Sequence, residues 1–179
     1  MLQECSIIKV AAVFFNEPTS PHYLKEISQK ANIAHTSVKS YLIQMKKQSL
    51  LKESLQKKGK RYFPIYQANL ESKQYRRYKQ LYNLLKLQES GLIDSLQDQL
   101  MPRSMVLFGS YSRGEDVEDS DIDIFLESKK AEFDIGTFEK KLNRKVQLHF
   151  KEHFAEYPPE LKNNIINGFL LSGYVKAFK

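Results

Sequence analysis

Apolar and polar positions follow two periods along this chain, and the change from one to the other marks its parts. Residues 5–16, CSIIKVAAVFFN, are apolar nearly all round and predict a buried helix. In EPTSPHYLKEISQKAN, Thr19 or Ser20 suits a helix cap and Pro21 a first helical turn. Leu24, Ile27 and Ala31 then share one face of a second helix. After a turn at Asn32, HTSVKSYLIQMKKQ predicts a third helix, with Val38, Leu42 and Met45 inward. Its outward positions include His35, Thr36, Ser37, Lys39, Ser40, Gln44 and Lys46. LLKES and YFPIY read as short strands joined by the turn LQKKGKR, with Gly59 at the hairpin tip.

Residues 69–90 predict a long helix with Asn69 as its cap, and Gly91 breaks it before a short helix in LIDSLQDQL. Tyr75, Tyr78, Tyr82 and Leu85 fall at spacings of three and four, and Leu81 and Leu84 widen the stripe. Such a stripe is either a seam between two protomers or packing on the chain's own domains. The first explanation leads to an expected homodimer through residues 69–90. Arg76, Arg77 and Lys79 read as a solvated face. Further on, SMVLF (104–108) has the short, apolar, turn-bounded form of a buried strand. DIDIFLE (121–127) alternates: Ile122, Ile124 and Leu126 point one way, Asp121 and Asp123 the other. Near the end, Ile165, Ile166, Phe169 and Leu170 form an apolar group.

Composition narrows the class. A chain of 179 residues, 41% hydrophobic and 27% charged, is long enough for one globular domain or two small ones. No apolar run approaches the roughly 20 residues of a membrane span. The first residues lack a basic region and read as a core helix, not a signal peptide. The single cysteine, Cys5, excludes an internal disulfide and a cysteine zinc site, and its apolar surroundings suggest a buried thiol. Together these point to the cytoplasm and to no membrane partner. The net charge of +7 is divided unevenly: +8 over residues 1–101 and −1 over 102–179. The basic half suggests a polyanionic partner, and the other half holds a local acidic cluster.

The chemistry sits in LFGSYSRGEDVEDSDIDIFLES, residues 107–128. Glycine at 109 permits a tight turn and a close backbone approach. Ser110, with free N–H groups at the start of a short helix, can hold phosphate oxygens, and Arg113 adds a cation before Gly114 closes the turn. Asp121 and Asp123, side by side, repel unless a cation lies between them. Hard oxygen ligands on a strand suit Mg²⁺, which also takes oxygens from substrate phosphates. A phosphate turn beside a metal pair is the minimum for phosphoryl or nucleotidyl transfer.

Two stretches carry family resemblances. Residues 3–67, helix, helix, polar-faced helix and basic hairpin, resemble a winged helix-turn-helix domain of regulator type. That resemblance implies double-stranded DNA as partner, with Thr36, Ser37, Lys39, Ser40 and Gln44 on the recognition helix and Lys57, Lys58, Lys60 and Arg61 on the wing. A solvated basic face used for protein contacts is the alternative. Gly109-Ser110, ten residues, then Asp121-Ile122-Asp123 is similar to the G-S-x10-D-x-D signature of the polymerase-beta-like nucleotidyltransferases, most of all the minimal ones, over about residues 90–175.

The second resemblance implies Asp121 and Asp123 as catalytic metal ligands, Gly109, Ser110 and Arg113 as nucleotide-binding residues, Mg²⁺ as cofactor and an NTP, ATP foremost, as ligand or substrate. It also implies a closing helix, with Ile165, Ile166, Phe169 and Leu170 as its apolar face, and a third carboxylate on a neighbouring strand. At that place, in NRKVQLHFKEHF, stands Gln147, with Val146, Leu148 and Phe150 facing the core. An amide cannot act as a general base. His149 or Glu152 would have to substitute.

The expected fold is therefore α+β. A winged helix (1–67) is joined by a linker helix region (68–101) to a nucleotidyltransferase-like mixed sheet with helices on one face (102–179). Two functions stay open. One is a DNA-binding transcriptional regulator whose second domain binds Mg-nucleotide with impaired catalysis. The other is an active nucleotidyltransferase moving a nucleoside monophosphate to a protein or small-molecule hydroxyl, with an antitoxin that modifies a partner toxin as one form of it.

Overall fold

The computed structural model describes residues 5–176. The chain divides into two compact units, Met1–Lys79 and Gln80–Lys179.

The first unit opens with α1 (Ser6–Asn16), which buries Val10, Val13, Phe14 and Phe15. Cys5 lies just before the helix as its N-cap and is exposed, so the expected buried thiol is not found. The second helix starts later than expected. Residues His22–Tyr23 form a short strand, β1, and α2 spans Leu24–Ala31. Neither Thr19 nor Ser20 caps α2, and Pro21 precedes β1. The reason is pairing: His22 and Tyr23 register with Tyr66 and Ile65, which keeps this segment extended. The helix is capped instead by Glu26, whose carboxylate accepts from the Tyr23 backbone N–H at 2.9 Å. Asn32, left-handed at φ 52, makes the expected turn into α3 (His35–Lys47). Val38, Leu42 and Met45 are buried on α3 as its period requires.

Strands β2 (Leu51–Lys58) and β3 (Arg61–Ala68) pair antiparallel over their whole length, and β1 joins β3's other side in the order β1-β3-β2. The hairpin turn is only Gly59-Lys60, so Lys57, Lys58 and Arg61, expected in the turn, are strand residues. Gly59 has φ 64, a conformation that glycine adopts without steric cost. Phe14, Ile27, Val38, Leu42 and Met45 are the center of this unit's core. Each such side chain stabilises by about 1.5–3 kcal/mol on burial.

The long helix α4 (Lys73–Ser90) runs from the first unit into the second. Its cap is Ser72, whose hydroxyl accepts from the Tyr75 N–H. Asn69, the expected cap, bonds the Ser49 carbonyl instead, because the strand end holds it there. The expected stripe is divided: Tyr75 and Tyr82 are buried, whereas Tyr78 and Leu81 are exposed. Tyr75 donates its buried hydroxyl to the Phe14 carbonyl at 2.8 Å. Of the expected solvated cations, Arg76 and Arg77 are exposed but Lys79 is buried.

In the second unit, Gly91 (φ 79) separates α4 from α5 (Leu92–Leu100). Then follow β4 (Ser104–Phe108), α6 (Gly109–Arg113), β5 (Ile122–Glu127), α7 (Gly136–Leu142), β6 (Val146–Lys151), α8 (Pro159–Ile166) and β7 (Phe169–Gly173). The sheet order is β6-β5-β4-β7, with β5 and β6 parallel and the other pairs antiparallel. One face packs Met105, Leu107, Ile122, Ile124 and Leu126 against Leu87, Leu92, Leu96 and Leu142 from α4, α5 and α7. The second face is not bare: Val106, Phe108 and Phe125 pack with Phe154, Tyr157 and Ile165. This is the expected mixed α+β arrangement, with two corrections. Helix α8 brings Ile165 onto the second face, so the helices are not confined to one face, and the end of the chain also departs from expectation. The closing helix stops at Ile166, and Phe169 and Leu170 lie on β7. The open edge of β4 takes a backbone partner there, and Gly168 permits the switch, since a Cβ on it would collide with the Leu107 carbonyl.

Candidate functional site

Two strand ends and one turn bring the acidic motif together. Phe108, the last residue of β4, registers with Asp123 of β5, and the chain turns into α6 at Gly109. Gly109 has φ +77, and a Cβ built on it would lie 2.5 Å from Asp123 Oδ2. Only glycine lets the turn and the acid share this space. Asp121 precedes β5 and Asp123 lies within it; both residues are half-buried at the N-terminal end of this inner strand. Gly109, Ser110, Asp121 and Asp123 therefore form one cluster. Arg113 lies at the far end of α6, paired by its Nε with Glu115 at 2.8 Å.

The turn is fastened from below. Ser112 donates to the Gly109 carbonyl at 2.8 Å, and the Glu115 N–H to the Ser110 carbonyl at 3.0 Å. Gln80 and Asn83, on α4, donate to the carbonyls of Ser112 and Tyr111 at 2.6 and 2.9 Å. Asn83 also donates to buried Asp116 Oδ1 at 2.8 Å, and Arg144 stands 3.6 Å from Asp116 Oδ2. Burial pushes the Tyr111 phenol up, with Asp116 adding to the effect, so it stays neutral. These supporting residues were not singled out from sequence. Nothing in a local pattern links Asn83 to a turn 28 residues away.

Strand β6 supplies the other side. Gln147 registers with Asp123, the position implied for the third carboxylate. Its Nε2 donates to Asp121 Oδ2 at 2.5 Å. His149 Nε2 lies 3.0 Å from Asp123 Oδ1, and its ring meets Phe108 edge-on with centroids 5.0 Å apart. Leu148 and Phe150 pack on the core from the opposite face, as the alternation requires. Glu152 does not reach the acids. Lys151 registers with Glu127, so Glu152 lies past the far end of β5, roughly 16 Å along the strand from Asp123. It lines a cavity of about 550 Å³ there with Arg103, Glu127, Lys129 and His153.

Among the described residues, no group of three or more His, Cys, Asp or Glu side chains is arranged to hold a metal ion. The oxygen donors of Asp121 and Asp123 would fit Mg²⁺ as a two-carboxylate site, completed by nucleotide phosphates or water. No helix among the described residues is long and apolar enough to cross a membrane.

In the first unit, Thr36, Ser37, Lys39, Ser40 and Gln44 are all exposed on α3, and Lys57, Lys58, Lys60 and Arg61 are exposed on the hairpin. Acids neutralise neighbouring lysines at its base: Lys46 pairs with Glu53, and Lys52 with Glu71 at 2.8 Å.

The Gly-Ser turn is thus set against the D-x-D strand in a mixed sheet. Residues 89–173 match the family model described as the nucleotidyltransferase domain. No curated protein matches the chain.

Proposed function

We propose that the protein is a DNA-binding transcriptional regulator whose nucleotidyltransferase-type domain binds Mg-nucleotide but transfers poorly. The observation that carries this is Gln147: an amide occupies the third-acid position and donates to Asp121. Asp121 and Asp123 hold the cation, and bound Mg²⁺ supplies charge neutralisation for the phosphates. The N–H groups and hydroxyl at Gly109-Ser110 bind phosphate oxygens, and Arg113 adds positive charge once released from Glu115. What is lacking is an anionic base at 147 to take the proton from an attacking hydroxyl.

The first unit, taken as a winged helix over residues 1–67, lays α3 in the major groove of double-stranded DNA. Three helices, a β1-β3-β2 sheet and an exposed basic hairpin support this reading. A cytoplasmic protein is implied. Exposed Tyr78 and Leu81 support a homodimer through residues 69–90.

A second reading is favoured by His149, which sits on Asp123 at 3.0 Å. There the domain is an active transferase, moving a nucleoside monophosphate from an NTP, ATP foremost, to a hydroxyl on a small molecule or on a protein such as a partner toxin. Incubation with labelled ATP and Mg²⁺, comparing wild type with Asp121→Asn/Asp123→Asn, separates the two. Saturable ATP binding lost in the double variant, without label transfer to the acceptors offered, is expected. Rapid transfer by the wild type would overturn the first reading.

A further inference from the structure

The β2–β3 hairpin exposes more apolar surface than its packing uses. We propose that its tip binds a nucleic-acid strand with unpaired bases, with Tyr62 and Phe63 as stacking platforms and the cations around them as phosphate contacts. This goes beyond duplex recognition by α3 and does not depend on it.

The strand register places the groups. Leu55 pairs with Pro64, Gln56 with Phe63 and Lys57 with Tyr62. Alternation puts Leu55, Lys57, Tyr62 and Pro64 on one face and Gln56, Lys58 and Phe63 on the other. The first of these faces is the core face further down, where Leu51, Tyr66 and Ala68 are buried. At the tip it overhangs: Leu55 is 67% exposed and Tyr62 62%, while Phe63 on the other face is 38% exposed. Each face also pairs a lysine with a ring. Lys57 Nζ lies 6.0 Å from the Tyr62 centroid, and Lys58 Nζ 5.7 Å from that of Tyr23 on β1.

Charge selects the occupant. Residues 54–63, SLQKKGKRYF, hold Lys57, Lys58, Lys60 and Arg61 and no carboxylate. Covering these cations with an ordinary protein surface would desolvate them without compensation. A polyanion compensates them. Duplex DNA supplies the phosphates but keeps its base faces stacked on each other. Unpaired bases offer their faces to aromatic side chains, and that stacking tolerates any sequence. Only a strand with unpaired bases uses the rings and the cations together.

Fluorescence anisotropy of the full chain with labelled oligothymidylate, oligouridylate and a mixed-sequence duplex tests this at low and moderate salt. Tyr62→Ala is expected to weaken single-strand binding about tenfold or more, to change duplex binding less than about threefold, and to leave the circular dichroism unchanged. Tyr62→Phe, which keeps the ring, is expected to bind single strands like the wild type. Phe63→Ser gives an independent loss from the other face. No single-strand binding by the wild type at low salt overturns the proposal. So does a Tyr62→Ala loss equal on single strand and duplex, or binding by Tyr62→Ala and Phe63→Ser as tight as the wild type's.

Discussion

Gln147 and Asp121 are joined across two parallel strands: the amide Nε2 of one donates to Oδ2 of the other at 2.5 Å. A carboxylate at 147 would share a cation with Asp121. The amide instead donates a hydrogen bond to that oxygen, which stabilises the carboxylate without metal but leaves its charge in place. Gln147→Asp should reverse this. Without Mg²⁺ the variant should be less stable than the wild type, because three carboxylates then repel. With Mg²⁺ it should regain stability and bind Mg-ATP about tenfold more tightly, by analogy with one added charge-assisted ligand. Thermal melts with EDTA and with Mg²⁺, and calorimetric ATP titration, would read both effects. A melt unaffected by Mg²⁺ in the variant would count against metal binding here.

Gly109→Ala should be far more harmful than Gly59→Ala. Both glycines have positive φ, so both substitutions cost about 1–2 kcal/mol of backbone strain. Only at 109 does the new methyl also meet Asp123 Oδ2. At Gly59 nothing lies within 4 Å. Urea unfolding should rank the two, and ATP binding should be lost only in the first. Equal destabilisation would remove the steric account of the Gly-Ser turn.

Asn83→Ala should loosen the turn from beneath. It removes donors to Tyr111 O and to buried Asp116, whose desolvated carboxylate then costs about 1–3 kcal/mol. Hydrogen exchange should rise at residues 109–116 before it rises in β4. An unchanged exchange pattern would mean that α4 does not hold the turn.

Stability should fall in mild acid through His22. Burial holds this imidazole below its ordinary pKa, with Lys30 acting the same way and Glu17 opposing. The folded state thus binds a proton less readily than the unfolded one. The contribution is complete above the ordinary value of 6.5 and is lost as pH drops through it towards the lowered folded value. Urea midpoints measured between about pH 7.5 and about pH 5.5 should decline, and His22→Gln should flatten that decline. The same slope in both proteins would assign the acid sensitivity elsewhere.

Lys39→Ala should weaken duplex DNA binding at low salt and reduce the slope of log affinity against log salt by about 0.9, the value for one phosphate contact. The loss should be similar on all sequences. An unchanged slope would take the exposed face of α3 away from the phosphates.

Much of this protein was legible along the chain because the responsible forces act locally. Burial of Val38, Leu42 and Met45 follows from helical period, and that of Ile122, Ile124 and Leu126 from strand alternation. The Gly-Ser turn and the D-x-D pair were readable for the same reason, each being a short motif whose geometry is set by its own backbone, whereas Gln147 stood out only through the family resemblance. Errors fell where a distant partner decided. Pro21–Tyr23 stay extended because β3 takes them as a strand partner. Phe169 and Leu170 leave the helix because β4 has an edge to fill. Asn69 bonds Ser49 rather than capping a helix.

The sequence by itself determined the periods, the charge division and the identity of every group in the acidic motif. Tertiary structure alone decided what those groups touch. It put Asp123 over Gly109, Gln147 on Asp121, His149 between Asp123 and Phe108, and Glu152 out of reach beyond the far end of β5. The physical reason is that side-chain identity is written one residue at a time. The partner of a carboxylate depends on strand order and register, which are settled by burial and backbone pairing over the whole domain.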